Sequence, residues 1–211
     1  IGAGGMGVVF RARDLTLNRD VALKTLPRVS PEEAARLRRE ARSMASLQHT
    51  HLAVIYGIEV WRGLPVLVLE YLAGGTLEAR IRRGPLPPDV VAALGIAMAD
   101  ALHHLHRAGL LHRDVKPSNI GFTADDLPKL LDFGLARVAG RVPTALGPDQ
   151  STASGGTRFP SRPGESFRTG SRRLVGTPAY LCPEALAFEP PNPTFDLWSL
   201  ALTLFAAATG T

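Results

Sequence analysis

Apolar residues fall in short β-branched runs over the first third of the chain and then recur at steps of three and four. "GVVFRARD" (7–14) and "RDVALKTL" (19–26) flank the polar "LTLN" and predict a hairpin. "LAVIYGIEVW" and "LPVLVLEYL" predict a second strand pair turning at Arg62-Gly63. Between the pairs, "SPEEAARLRREARSMASLQH" predicts a helix. Ser30 is its N-cap, Pro31 lies in the first turn, Glu33 closes a capping box, and Leu37, Met44 and Leu47 share one face. "AGG" at 73–75 reads as a hinge. Beyond it, 87–109 predicts a long helix with Val91, Leu94, Met98, Leu102 and Leu105 on one stripe and Gly109 as its stop. Strand-like pieces follow at 119–122 and 129–132, and 195–210 reads as a buried helix. Residues 138–173 are rich in Gly, Pro, Ser and Thr without periodicity, which predicts a disordered insertion.

Composition narrows the class. At 211 residues, 45% hydrophobic and 20% charged, the chain is long enough to bury a real core. The single cysteine, Cys182, precludes an internal disulfide and fits a reducing compartment. The longest apolar run carries Asp196 and falls short of the ~20 residues a membrane span needs. The net charge of +5 is concentrated in 137–173, where seven arginines face Asp149 and Glu165. An excess held in one loop-like tract argues against a nucleic-acid-binding face. The chain begins at Ile1 without an initiator Met and stops just after an apolar helix, so a piece of a longer chain is expected.

The candidate chemistry sits where charge interrupts apolar sequence. "IGAGGMGVVF" holds G-x-G-x-x-G at Gly2, Gly4 and Gly7, a backbone able to approach phosphates. The following "VVF" is strand-forming, which disfavours a dinucleotide fingerprint, and the Gly-Lys-Ser/Thr of a P-loop is missing. Lys24 lies on a strand beside Val21 and Leu23. Glu40 falls on the apolar stripe of its helix, where an unpaired carboxylate is costly, so Lys24 is its natural partner. In "LLHRDVKPSNIGF", His112, Arg113, Asp114, Lys116 and Asn119 are set into an apolar frame, and "KLLDFGLAR" adds Asp132. Asp132 and Asn119 can offer oxygens to Mg²⁺, Asp114 can take a proton from a hydroxyl, and Lys116 can offset phosphoryl charge. Turn-forming residues would explain any one of these positions but not all of them in this order. His103, His104 and His106 cluster at a helix end, where imidazolium suits the helix dipole. No Cys or carboxylate completes a zinc set there, and His112 reads as a packed scaffold residue.

Taken together, the glycine loop, Val-Ala-Leu-Lys24, Glu40, His112-Arg113-Asp114-x-Lys116-x-x-Asn119, Asp132-Phe133-Gly134 and Cys182-Pro183-Glu184 resemble a eukaryotic-type protein kinase domain in order and type. The style is most similar to bacterial Ser/Thr protein kinases, and Lys116 with Thr177 in "GTPAYLCPE" resembles Ser/Thr rather than tyrosine kinases. The resemblance implies an α+β, two-lobed fold. Residues 1–72 would form a small antiparallel β-rich N-lobe with one key helix. Residues 73–211 would form a mainly α-helical C-lobe, with the insertion at 138–173 and without the last C-lobe helices.

Residue by residue, the resemblance implies that Lys24, held by Glu40, grips the α- and β-phosphates of ATP. Asp132 and Asn119 would hold Mg²⁺, Asp114 would be the catalytic base and Lys116 would contact the γ-phosphate. Ile1, Gly2, Gly4 and Gly7 would cover the nucleotide. Val9, Ala22 and Leu69 would wall the adenine pocket, with backbone groups of Glu70 and Leu72 bonding the base. Asp196 would pin the catalytic loop from below. Arg113 would respond to phosphate at Thr169 or Ser171, with Thr177 unmodified. Gly121 stands where the family has a large apolar residue under adenine, so the floor is expected to be looser or filled by Phe122. Cys182 replaces a small residue and reads as a structural thiol.

The implied activity is γ-phosphoryl transfer from Mg-ATP to protein Ser/Thr hydroxyls. The implied partners are ATP and protein substrates, with self-association for trans-autophosphorylation, no nucleic acid and no membrane span. A cytoplasmic setting is expected, with any membrane anchor outside this stretch. A pseudokinase scaffold and a small-molecule phosphotransferase are the rival readings. Intact Lys24, Asp114, Asn119 and Asp132 oppose the first, and the peptide-positioning look of "GTPAYLCPE" opposes the second.

Overall fold

The computed structural model describes residues 2–4, 7–25, 45–62, 64–132, 168–169, 172–173 and 177–211. Its first part is a five-stranded antiparallel sheet. The strands are β1 (Gly2–Gly4), β2 (Gly7–Asp14), β3 (Arg19–Thr25), β4 (Ile55–Trp61) and β5 (Leu64–Glu70), in the spatial order β1-β2-β3-β5-β4. Both predicted strand pairs form. Arg62 turns the second with a left-handed φ of 50°. The helix predicted from Ser30, with Glu33, Leu37, Glu40 and Met44, lies outside the described residues.

Register follows from side-chain alternation. Val9 pairs with Lys24, Ala22 with Leu69 and Lys24 with Leu67. These five residues therefore share one face of the sheet, and Lys24 sits there among four apolar neighbours.

After β5 the chain turns at 73–75 and helices take over: α1 (Leu77–Ile81) and α2 (Pro88–Arg107). Thr76 caps α1 by accepting from the Ala79 N–H. In α2 the predicted stripe is the buried one: Leu94, Met98, Leu102 and Leu105 are inside and Val91 packs against the same core. Burying each leucine contributes about 1.5–3 kcal/mol. Gly109, with φ of 72°, ends the helix as expected.

The strands β6 (Ile120–Phe122) and β7 (Pro128–Leu130) form a small hairpin. It joins the two parts: Ala53 N–H bonds Leu130 O, and Leu130 N–H bonds His51 O. The turn after β5 lies against it, with Gly74 N–H to Phe122 O at 2.8 Å. Only glycine fits there, since a Cβ at 74 would stand 2.5 Å from Thr123 O.

The tract 138–173 lies outside the described residues except near its end. There β8 (Arg168–Thr169) pairs with β9 (Arg172–Arg173), so those four residues are paired strand rather than irregular chain. The elements α3 (Pro183–Leu186) and α4 (Pro193–Thr209) follow. The expectation that α4 is wholly buried needs correction. Leu200, Thr203, Ala206 and Ala207 are inside, but Leu197, Trp198 and Phe205 are exposed. An apolar helix buries only as many faces as it has neighbours, and α2 covers one.

Candidate active site

The segment from His112 to Asn119 is held from three sides. From below, Asp196 in the first turn of α4 accepts from His112 N–H at 2.8 Å and Arg113 N–H at 2.7 Å. Arg113 has a left-handed φ of 66°, and successive N–H groups in such a turn converge on one anion. His106 Nε2 donates to the same carboxylate at 2.8 Å. Burial alone would push the Asp196 carboxyl up. The His106 hydrogen bond and the two N–H groups instead hold it below the usual carboxylate range.

From within, His112 is fully buried. Its Nε2 donates to Leu131 O at 2.7 Å and its Nδ1 accepts from Asp114 N–H at 3.2 Å. A carbonyl on one ring nitrogen and an N–H on the other fix the Nε2–H tautomer. His112 is thus the scaffold residue the sequence suggests, locking Asp114 to the chain just before Asp132.

Asp114 is 6% exposed and fully engaged. Asn119 Nδ2 donates to Asp114 O at 2.7 Å and to its Oδ2 at 3.0 Å. Lys116 Nζ pairs with Oδ2 at 2.7 Å. On the other oxygen, Thr177 brings its N–H and its hydroxyl to Oδ1, each at 3.1 Å, while Lys116 Nζ also donates to the Thr177 hydroxyl at 2.7 Å. The Asn119 amide nitrogen faces Asp114, leaving Oδ1 as the oxygen it can offer elsewhere.

Lys24 of β3 forms an ion pair with Asp132. The Lys24 side chain is 5% exposed and that of Asp132 20%. Asp132 adopts a left-handed φ of 59°, which sets it apart from the run of β7. Glu40, the partner expected for Lys24, lies outside the described residues.

Among the other expected residues, Val9, Ala22 and Leu69 line the sheet face beside Lys24. Gly2, Gly4 and Gly7 lie on the β1–β2 hairpin, where Gly4 pairs with Gly7. Glu70 turns its carboxylate away, accepting from Val54 N–H and Lys129 Nζ, both at 3.0 Å. Arg113 is half-buried. Thr169 lies on β8, whereas Ile1 and Ser171 are outside the described residues.

Phe122 does not fill the space over Gly121. Neighbouring strand residues point to opposite faces, and the Phe122 ring lies under the Arg80 guanidinium at 3.3 Å. Leu72 takes that space instead. Cys182 is buried, its Sγ caps α3 by accepting from Ala185 N–H, and burial pushes its thiol up, as for a structural residue. The three clustered histidines diverge: His103 is exposed, His104 stacks near His49 and His106 serves Asp196.

Sequence reasoning missed three contributors. The Lys129–Glu70 bridge, the His106–Asp196 bond and the position of Leu131 all depend on contacts between distant segments. Only the lone Asp196 in an apolar helix carried a signal of such a contact.

The protein kinase domain family model matches residues 1–211. The chain is 38% identical over 214 residues to serine/threonine-protein kinase PknK of Mycobacterium tuberculosis, covering 100% of this chain and 17% of that protein. It is 36% identical to PknL of the same species, covering 100% of this chain and 48% of that protein. To PknB of Mycobacterium leprae it is 34% identical over 218 residues, covering 31% of that protein. The chain thus spans less than half the length of these relatives.

Proposed function

Because the chain belongs to the protein kinase family, we propose that it transfers the γ-phosphoryl group of Mg-ATP to Ser and Thr hydroxyls of proteins. What carries this reading is the constellation around Asp114. A buried carboxylate, an ammonium and a threonine hydroxyl converge within 3.1 Å, and a second carboxylate, Asp132, is paired with Lys24.

The residues fit the nucleotide and its metal. Asp132 and Asn119 supply hard oxygen donors, and Mg²⁺ commonly takes one or two protein ligands of that kind beside phosphate oxygens. Lys24, brought to Asp132, offers the positive charge that phosphates need, and Glu40 is the partner that would hold it for that task. Mg-ATP, when bound, supplies the phosphoryl group to be transferred.

The chain's own groups would do the rest. Asp114 orients the incoming hydroxyl and takes its proton, and Lys116 stabilises the charge that develops beside it. The backbone of Gly2, Gly4 and Gly7, with Ile1, covers the phosphates. Val9, Ala22 and Leu69 hold the base, and Glu70 and Leu72 bond it through backbone groups. The division into a 1–72 lobe and a 73–211 lobe puts the cleft between β3 and β6. Phosphate at Thr169 or Ser171 acts through Arg113, added by a second copy of the chain, and the setting is the cytoplasm. No helix among the described residues is long and apolar enough to cross a membrane.

The test is to incubate the protein with Mg-ATP and a generic protein substrate, then map phosphosites by mass spectrometry beside an Asp114→Asn control. Phosphoserine and phosphothreonine in the wild-type reaction alone are expected. Equal labelling in both reactions would overturn the reading.

A further inference from the structure

Gly121 leaves a gap in β6 that two leucines from elsewhere in the chain close. A Cβ placed on Gly121 would stand 2.5 Å from Leu72 Cδ1, 3.4 Å from Leu72 Cβ and 3.3 Å from Leu131 Cδ1. Leu72 comes from the chain leaving β5, and Leu131 immediately precedes Asp132. Both leucines remain half-buried, so part of each faces neither Gly121 nor the core. The Leu131 side of this patch adjoins the Lys24–Asp132 pair. The sheet face that carries Lys24 also presents Ala22 and Leu69 in register. An apolar surface that runs directly into a charged pair suits a ligand with a flat aromatic end and an anionic end.

We propose that Leu72, folded over Gly121, is the lower wall against which the nucleotide base is held. The apolar share of base affinity then resides in the Leu72–Gly121 pair rather than in a side chain carried by β6. The inference rests on the nucleotide-binding reading above. Its physical content is an exchange of supports. A side chain on β6 would be fixed by the strand backbone, whereas Leu72 reaches the same place through two rotatable bonds. Any side chain at 121 therefore displaces Leu72, because the nearest contact is a flexible methyl end rather than backbone.

The experiment is a side-chain swap read by calorimetric titration of Mg-ADP, Mg-GDP and Mg-tripolyphosphate into the whole chain. Leu72→Ala removes the wall, and Gly121→Leu drives Leu72 out of it. Each is expected to weaken ADP binding about tenfold, the scale of half a leucine's apolar contact. Each should leave the preference for ADP over GDP in place, because that preference rests on backbone groups, and leave tripolyphosphate unchanged, since that probe has no base. The double variant Leu72→Ala/Gly121→Leu delivers the leucine from β6 and should recover ADP affinity to within about threefold. Thermal unfolding shows whether each variant is folded. Should Gly121→Leu fail to fold, Gly121→Ala displaces Leu72 by a smaller amount and should weaken ADP binding while tripolyphosphate is unchanged.

A double variant as weak as the single ones, or a loss shared equally by tripolyphosphate, overturns the inference and leaves nucleotide binding standing. A wild-type chain that binds neither ADP nor tripolyphosphate overturns the nucleotide reading, and the inference with it.

Discussion

The Thr177 hydroxyl lies between Lys116 Nζ, 2.7 Å away, and Asp114 Oδ1, 3.1 Å away, although 63 residues separate Thr177 from Asp114. A hydroxyl that accepts from the ammonium and donates to the carboxylate holds both charged groups at a fixed spacing. Thr177→Val keeps the branched shape and removes both bonds. Hydrogen bonds to charged groups contribute about 1.5–3 kcal/mol each, so turnover should fall at least tenfold. Thr177→Ser should retain most of it. Initial rates of peptide phosphorylation decide the matter, and a valine variant at the wild-type rate would remove Thr177 from the site.

On the proposed reading, Asp114 and Asp132 separate by role. Asp114→Asn should lower phosphoryl transfer by about 10²–10⁴, the usual contribution of a positioned base, while Mg-dependent nucleotide binding persists. Asp132→Asn should abolish transfer and also remove the strengthening of nucleotide binding by Mg²⁺. Single-turnover rates beside titrations with and without Mg²⁺ distinguish the two. Equal binding defects in both variants would contradict the assignment.

Asp196 links stability to pH. Its carboxyl titrates below the usual range in the folded chain, whereas the unfolded value is about 3.9. A depressed folded value means the stabilisation is present above about pH 4 and is lost as pH falls through the folded value. Asp196→Asn presents an N–H₂ where N–H donors converge, which should cost about 1–3 kcal/mol at pH 7. The gap between wild type and variant should shrink as pH drops below about 4. Urea unfolding at pH 7 and pH 3 measures it, and a gap that widens in acid would refute the sign.

Arg113 and the β8–β9 hairpin bear on regulation. A phosphate at Thr169 or Ser171 would add roughly −1.5 to −2 charge beside an arginine-rich segment. We expect autophosphorylation at one or both positions to raise activity through Arg113. Thr169→Ala/Ser171→Ala and Arg113→Ala should then show the same reduced rate, and combining them should add little. Full activity in one variant with loss in the other would show that they do not work as a pair.

The sequence made legible what depends on spacing along the chain. Strands β2 and β3 were evident from their β-branched runs, α2 from its leucine stripe and Gly109, and the acidic and basic candidates for the site from their order. Contacts between segments were not legible. Nothing near Gly121 in the sequence signals that Leu72, 49 positions earlier, takes its place. Phe122 was the nearer candidate, but strand alternation turns it away toward Arg80. The depth of α4 also depends on neighbours: its composition reads as buried, yet Trp198 and Phe205 are exposed. The pairing of Arg168–Thr169 with Arg172–Arg173 lacks any apolar alternation that could have announced it.

The carboxylate of Asp196 holds the amide of His112 from 84 residues further along the chain, and this sets an order in time. During synthesis the loop leaves the ribosome well before the helix that anchors it. At about 5–20 residues per second, that interval is roughly 4–17 s. Through it, the backbone at Arg113 has a left-handed turn to adopt and no anion to hold it there. The nascent chain therefore carries Asp114, Lys116 and Asn119 for some seconds without the geometry that would make them a site. In ribosome-arrested chains the His112 and Arg113 amides should exchange freely when residue 195 is the last one made. They should become protected once α4 has emerged.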